Sequence, residues 1–166
     1  VVGSSGSVIP KFIQQIKSNE KIRITDSQMT RFSITMDDAL NLIINASKIG
    51  KGSEIFIPKL KAYNIMDVKS ALFELLHETE YEIVGIRPGE KLHETLINED
   101  EIRYTWNIKD MFMITNPHYE LFNDVNLETN YETNKKENNL NSYSSDKVEK
   151  LTINELKTVI KNSGLL

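Results

Sequence analysis

The run Arg87-Pro88-Gly89-Glu90-Lys91 comes directly after an apolar segment, Tyr81 to Ile86, that reads as a strand. It therefore presents a guanidinium from a strand end on a backbone stiffened by proline. Gly89 permits a turn closed to other residues. A planar guanidinium matches two phosphate oxygens in a fork, and Glu90 can accept hydrogen bonds from sugar hydroxyls, so the run has the chemistry of a nucleotide clamp. The competing reading is a surface Arg–Glu ion pair, worth about 0–1 kcal/mol. Arg31, in Met29-Thr30-Arg31-Phe32, is a second candidate; it either faces a cleft or pairs with Asp37 or Asp38. The two arginines become informative together if one diphosphate draws them to the same place.

Other reactive groups offer less. His77, His93 and His118 form neither H-E-x-x-H nor H-x-x-E-H spacing, so no metal is expected. His93-Glu94 reads as a polar pair near a cleft. Tyr-x-x-x-Lys occurs at Tyr131 to Lys135 and at Tyr143 to Lys147. On a helix that spacing sets a phenol beside an ammonium and can depress its pKa for proton transfer. Both copies lie in or beside an Asn-rich stretch with no glycine-rich phosphate loop before them, and both are coincidental. With no cysteine, disulfides, thiolate metal sites and a cysteine nucleophile are excluded, which agrees with a cytoplasmic setting.

The elements that must position these groups alternate. Val8, Ile9, Phe12, Ile13 and Ile16 recur at helical spacing, with Pro10 near the start, where its missing N–H costs little. Lys21 to Asp26 alternates as a half-exposed strand. Thr35 is the expected N-cap of a helix with Asp37 and Asp38 in its first turn; Met36, Ala39, Leu40, Ile43 and Ile44 form its apolar face, and Gly50 and Gly52 stop it. Glu54 to Pro58 reads as a strand, and Asn64 caps a helix buried through Ile65, Val68, Leu72 and Leu76. Glu99-Asp100-Glu101 is expected to stay solvated, and Met111 to Thr115 to form a strand. Asn123 to Asn141 reads as a flexible loop. Thr152 and Glu155 have capping-box spacing, Leu151 and Leu156 fit a hydrophobic staple, and Gly164 ends the last helix. Helices alternating with short strands point to α/β or α+β layers.

Composition bounds the rest. The chain has 166 residues, 39% hydrophobic and 27% charged, which suits one globular domain with a tail. A net charge of −4 leaves no global basic field for a nucleic-acid backbone, so nucleic acid is not an expected partner. The longest apolar run falls far short of the ~20 residues that cross a bilayer, so no membrane partner is expected either. The opening Val1-Val2-Gly3-Ser4-Ser5-Gly6-Ser7 has no Met start and no signal pattern, and reads as a cut through something longer.

Four ordered motifs carry a family resemblance: Val1-Val2-Gly3-Ser4-Ser5-Gly6-Ser7-Val8-Ile9-Pro10-Lys11-Phe12, Met29-Thr30-Arg31-Phe32, Gly52-Ser53-Glu54-Ile55-Phe56-Ile57-Pro58 and Gly85-Ile86-Arg87-Pro88-Gly89-Glu90-Lys91-Leu92-His93-Glu94. In that order they resemble the C-terminal part of the UDP-N-acetylglucosamine 4,6-dehydratases, in the polysaccharide-biosynthesis branch of the extended short-chain dehydrogenase/reductases. The match covers most of residues 1–118, and Leu151 to Ile160 is similar to the family's tail. The resemblance implies an α/β (α+β) fragment, the substrate-binding part of that fold, with a Rossmann domain binding NADP ahead of residue 1. It divides the chain into a UDP-sugar-binding portion at 1–118, an Asn-rich flexible loop at 119–150 and a C-terminal helix at 151–166.

Members of the family oxidise C4 of the sugar, eliminate water across C5 and C6 and return the hydride to C6. Their base and cofactor residues lie in the half expected to precede this chain, so the resemblance implies no catalytic residue here and an inactive fragment. It also implies that Arg31 and Arg87 are diphosphate ligands, Glu90 the ribose-hydroxyl acceptor, Ser7, Val8 and Ile9 the wall against the uracil, and Arg23 and Thr25 the finish of the pocket. The expected partner is a UDP-sugar, and the full-length enzyme is expected to be a cytoplasmic homo-oligomer. A UDP-sugar epimerase of the same family, or a non-catalytic assembly module, stays open as an alternative.

Overall fold

The computed structural model describes residues 1–4, 6–116, 135–136 and 140–166. In chain order its elements are α1 (Val8–Lys17), β1 (Ile22–Ile24), β2 (Thr30–Phe32), α2 (Met36–Ile49), β3 (Ile55–Pro58), β4 (Ala62–Asn64), α3 (Ile65–Leu75) and β5 (Tyr81–Ile83). Then come β6 (Thr95–Ile97), a 3-10 turn at Ile102–Tyr104, β7 (Thr105–Ile108), β8 (Met111–Ile114), β9 (Lys135–Lys136), β10 (Tyr143–Ser144) and α4 (Ile153–Asn162). This is a mixed α/β chain, as its alternating pattern predicts. It divides into two units. One comprises Val1–Met36, Leu60–Glu94 and Ser145–Leu166; the other comprises Asp37–Lys59 and Thr95–Ser144.

The first unit is built around three helices. Ile9, Phe12, Ile13 and Ile16 of α1 meet Ile65, Val68, Ala71 and Leu72 of α3, Leu156 and Ile160 of α4, and Ile22 and Ile24 of β1. Ile16, Ile22, Val68, Leu72 and Ile160 are fully buried, and each such aliphatic side chain contributes about 1.5–3 kcal/mol relative to exposure. Asn64 caps α3 by accepting the Met66 N–H at 2.7 Å. Thr152 and Glu155 form the expected capping box on α4, and Gly164 (φ 69°) stands just past its C-cap. The tail leading into α4 is tied to β4: the Ala62 N–H donates to Glu149 O and the Leu151 N–H to Ala62 O, while Lys61 bridges Glu149 and Glu155.

Two short sheets complete this unit. β1 and β5 run parallel, Arg23 opposite Glu82, and β2 and β4 antiparallel, Arg31 opposite Tyr63. Neither β2 nor β4 shows in local pattern. Each has three residues, too few for alternation to be legible, and each forms because the other is there.

In the second unit β3, β8, β7 and β9 make a four-stranded antiparallel sheet in that order, and β6 pairs with β10. β7, Thr105–Ile108, is a further strand the sequence reading lacks. β8 matches the expected strand at Met111 to Thr115 within a residue. Leu42 and Ile49 of α2 pack with Phe56 and Trp106 against Ile108, Met111 and Met113. The helix is where the capping pattern puts it, but the expected apolar face is not the covered one: Met36, Leu40, Ile43 and Ile44 are 60, 51, 63 and 49% exposed. α2 carries apolar residues on two sides, and periodicity alone does not say which side meets the sheet. Asn98 accepts the N–H groups of Asp100 and Glu101, turning the acidic run outward. Most of the Asn-rich stretch lies outside the described residues.

Candidate functional site

The first unit contains a cavity of about 440 Å³. Its wall combines the start of α1 (Ser7, Val8, Lys11), Arg23 on β1 with Thr25 just past its end, Arg31 on β2, Tyr63 on β4, and Arg87, Glu90 and Glu94 from the segment after β5. Seven of the eight residues singled out from sequence thus line one cavity. Ile9 does not. It is 2% exposed and packs in the core, as the inward side of α1 requires.

The Arg87 turn has a local cause. The Glu90 N–H donates to Arg87 O at 3.0 Å, with Pro88 and Gly89 between them and Gly89 at φ 82°, a type II geometry that suits this pair of residues. Glu90 then takes the Thr25 hydroxyl at 3.3 Å and the Arg87 backbone N–H at 3.4 Å. The surface ion pair considered from sequence is not made. Among the described residues the Arg87 guanidinium has no acidic partner, so its whole fork faces solvent or a ligand.

Arg31 is differently placed. Nη1 donates to Thr30 O (2.7 Å) and Leu92 O (3.1 Å), Nη2 to Lys91 O (2.9 Å), and Nε lies 3.6 Å from Glu94 Oε1. Most of its donors are committed to backbone carbonyls and to Glu94. It is an oriented cation with few donors to spare. Arg23 is shared with Glu82 at 3.0 Å on an exposed face.

A buried hydroxyl network holds this side of the cavity together. Thr30 Oγ1 lies 2.8 Å from His93 Nδ1 and 2.7 Å from Ser145 Oγ. Ser145 Oγ accepts the Glu94 N–H at 2.9 Å and donates to Thr30 O at 3.2 Å, and the Ser145 N–H donates to Glu94 O. His93 is thus part of the scaffold beneath Arg31. Tyr63 stands opposite Arg31, 7% exposed. Burial first and the Glu94 carboxylate second push its phenol up to about 12, against the pull of the Arg31 guanidinium.

The place of Lys11 is legible in the sequence, since it lies one helical turn past Ser7. Those of Tyr63, Thr30 and Ser145 are not: they depend on strand pairing and on a contact 115 positions apart in the chain. Among the described residues no group of three His, Cys, Asp or Glu side chains could hold a metal ion. His77 bonds Asn19. Tyr143 lies on β10, donating to Pro58 O at 3.4 Å, so no helix sets it beside Lys147. The Tyr131 pair lies outside the described residues. Chemically, the cavity sets Lys11, Arg23, Arg31 and Arg87, a helix N-terminus and hydroxyls beside the carboxylates of Glu90 and Glu94, a lining with groups suited to an anion and to hydroxyl donors.

The family model for polysaccharide biosynthesis proteins matches residues 1–116. The chain belongs to this family. The UDP-N-acetylglucosamine 4,6-dehydratase (inverting) of Campylobacter jejuni is 37% identical over 150 residues, 88% of this chain and 44% of its own. A UDP-glucose 4-epimerase of Rickettsia rickettsii is 32% identical over 162 residues, 96% of this chain and 46% of its own. The X-ray structure of Pen from Bacillus thuringiensis matches with a TM-score of 0.83 at 36% identity, over 100% of this chain and 47% of that one. The chain therefore spans less than half the length of these relatives. Among the described residues no helix is long and apolar enough to cross a membrane.

Proposed function

We propose that this chain is the nucleotide-sugar-binding portion of an NADP-dependent UDP-N-acetylglucosamine 4,6-dehydratase, serving surface-polysaccharide or flagellin-sugar synthesis as part of a cytoplasmic homo-oligomer. The observation that carries the reading is the meeting of Arg31 with Arg87 and Glu90, from segments more than fifty positions apart, at one cavity beside the start of α1. In this reading Arg87 is the principal diphosphate ligand, because its fork is uncommitted, and Arg31 adds fixed charge. Glu90, already aimed by Thr25 and the turn, accepts from ribose hydroxyls. Ser7 and Val8 form the uracil wall, and Arg23 and Thr25 close the rim.

The described residues do not fit the dinucleotide. The N-terminal end of α1 lines the arginine cavity through Ser7, Val8 and Lys11, so in this reading that helix end serves the substrate's phosphates and not a dinucleotide. The base and the cofactor contacts are therefore assigned to parts of the longer relatives that this chain does not span, and the chain by itself is inactive. It supplies binding energy that holds a substrate whose reacting atoms lie elsewhere.

Titration calorimetry with UDP tests the reading. Binding is expected, and Arg87→Ala should weaken it by about ten- to a hundred-fold, the worth of charge-assisted bonds. Indifference to UDP would refute it in favour of a protein-assembly module. The Rickettsia relatives keep an epimerase in view; NMR of the product made by a full-length protein separates a 4-keto-6-deoxy sugar from an epimer.

A further inference from the structure

The anomaly in the cavity wall is Tyr63. Its side chain is buried, it lines the cavity, and its hydroxyl makes no hydrogen bond to any described residue. Among the described residues the sealed polar side-chain atoms without a partner belong to Ser7, Gln15 and Trp106 and not to Tyr63, so the phenol oxygen keeps access to the cavity while its ring is packed away. The hydroxyl is therefore available to an acceptor that enters the cavity and takes the place of water.

Its position says what that is. β2 and β4 set Arg31 and Tyr63 directly opposite one another, so the two side chains leave the same face of the ladder as neighbours. Glu94 carries the nearby negative charge and is already engaged by Arg31 and the Phe32 N–H. Burial and Glu94 both oppose ionisation of the phenol, so it stays a proton donor throughout the physiological range. A neutral donor beside a fixed cation, in a wall whose other cations are Lys11, Arg23 and Arg87, is complementary to an oxygen that only accepts.

We infer that Tyr63 is a specificity-determining contact that donates its hydroxyl hydrogen bond to a diphosphate oxygen held beside Arg31. The inference rests on the nucleotide reading above and adds to it a residue and a role. It distinguishes a phosphorylated nucleoside from the nucleoside alone, which lacks that oxygen.

The test compares UDP with uridine on the wild-type chain and on Tyr63→Phe, by calorimetry for UDP and ligand-observed NMR for uridine. The variant keeps the ring and should melt within a few degrees of wild type. UDP affinity is expected to fall about ten-fold or more, as for loss of a hydrogen bond to a charged group, with uridine affinity unchanged within about two-fold. Unchanged UDP affinity would overturn the inference, and so would an equal fall for both ligands, which would put the phenol against the nucleoside. A wild-type chain that ignores UDP while remaining folded would sink the nucleotide reading itself, and this inference with it.

Discussion

Ser145→Ala removes one oxygen from the buried network and changes little else. Ser145 is fully buried, and its hydroxyl serves the Glu94 N–H at 2.9 Å, Thr30 Oγ1 at 2.7 Å and Thr30 O at 3.2 Å. Thr30 retains His93 after the substitution, but the part-buried Glu94 N–H loses its acceptor. Stranding such a donor costs about 1–3 kcal/mol, and the lost hydroxyl–hydroxyl bond adds roughly 0.5–1.5 kcal/mol. A destabilisation of about 1.5–4.5 kcal/mol is expected, which for a chain of this size lowers Tm by about 3–18 °C. Urea unfolding tracked by far-UV circular dichroism is the assay, since α1, α3 and α4 all lie in the unit that holds Ser145. A double-mutant cycle with Thr30→Val isolates the pair, with an expected coupling of about 0.5–3 kcal/mol. A Ser145→Ala protein within about 0.5 kcal/mol of wild type, or additive effects in the cycle, would refute the network as a structural element. Because Thr30 O also takes Arg31 Nη1 at 2.7 Å, the loss should reach the cavity as weaker UDP binding.

Two further outcomes check the parts that carry the site. The Thr152 backbone N–H, then Lys61 and the Thr152 hydroxyl, hold the Glu155 carboxyl down to about 2. A depressed carboxyl stabilises above its unfolded pKa of about 4.5 and loses that contribution as pH falls toward 2. The gap in unfolding midpoint between wild type and Glu155→Gln should therefore be full at about pH 6 and close on acidification; a gap independent of pH would contradict the assignment. Asn64→Ala removes the α3 cap at the Met66 N–H and should cost about 1 kcal/mol in urea unfolding, with the m-value unchanged.

How much of this is readable in advance depends on the range of the interaction. The caps at Asn64 and Thr152, the Pro88-Gly89 turn and the run of α1 are decided within a few residues, and the chain carries them openly. The same holds for the alternation that placed β1 and for the short, largely apolar runs that placed β3, β5 and β8. The covered side of α2 is not readable, because Leu42 and Ile49 are chosen by the sheet they meet and not by the helix. β2 and β4 are silent for a similar reason: each needs the other's backbone groups to be a strand at all.

The candidate site divides along the same line. By itself the sequence offered Arg87 and Glu90, with Arg31 as a second candidate, as groups whose types suit a nucleotide, with a surface ion pair as the competing reading, because residue type and local turn propensity set what a side chain can bind. Only the tertiary structure decided that they share a cavity, that among the described residues Arg87 keeps its fork while Arg31 spends most of its donors on carbonyls, and that Tyr63 stands beside Arg31 with a hydroxyl no described residue engages. The physical reason is that donor commitment and burial are properties of neighbours brought from afar, Lys91 and Leu92 to Arg31 and Ser145 to Thr30, and no window along the chain contains them.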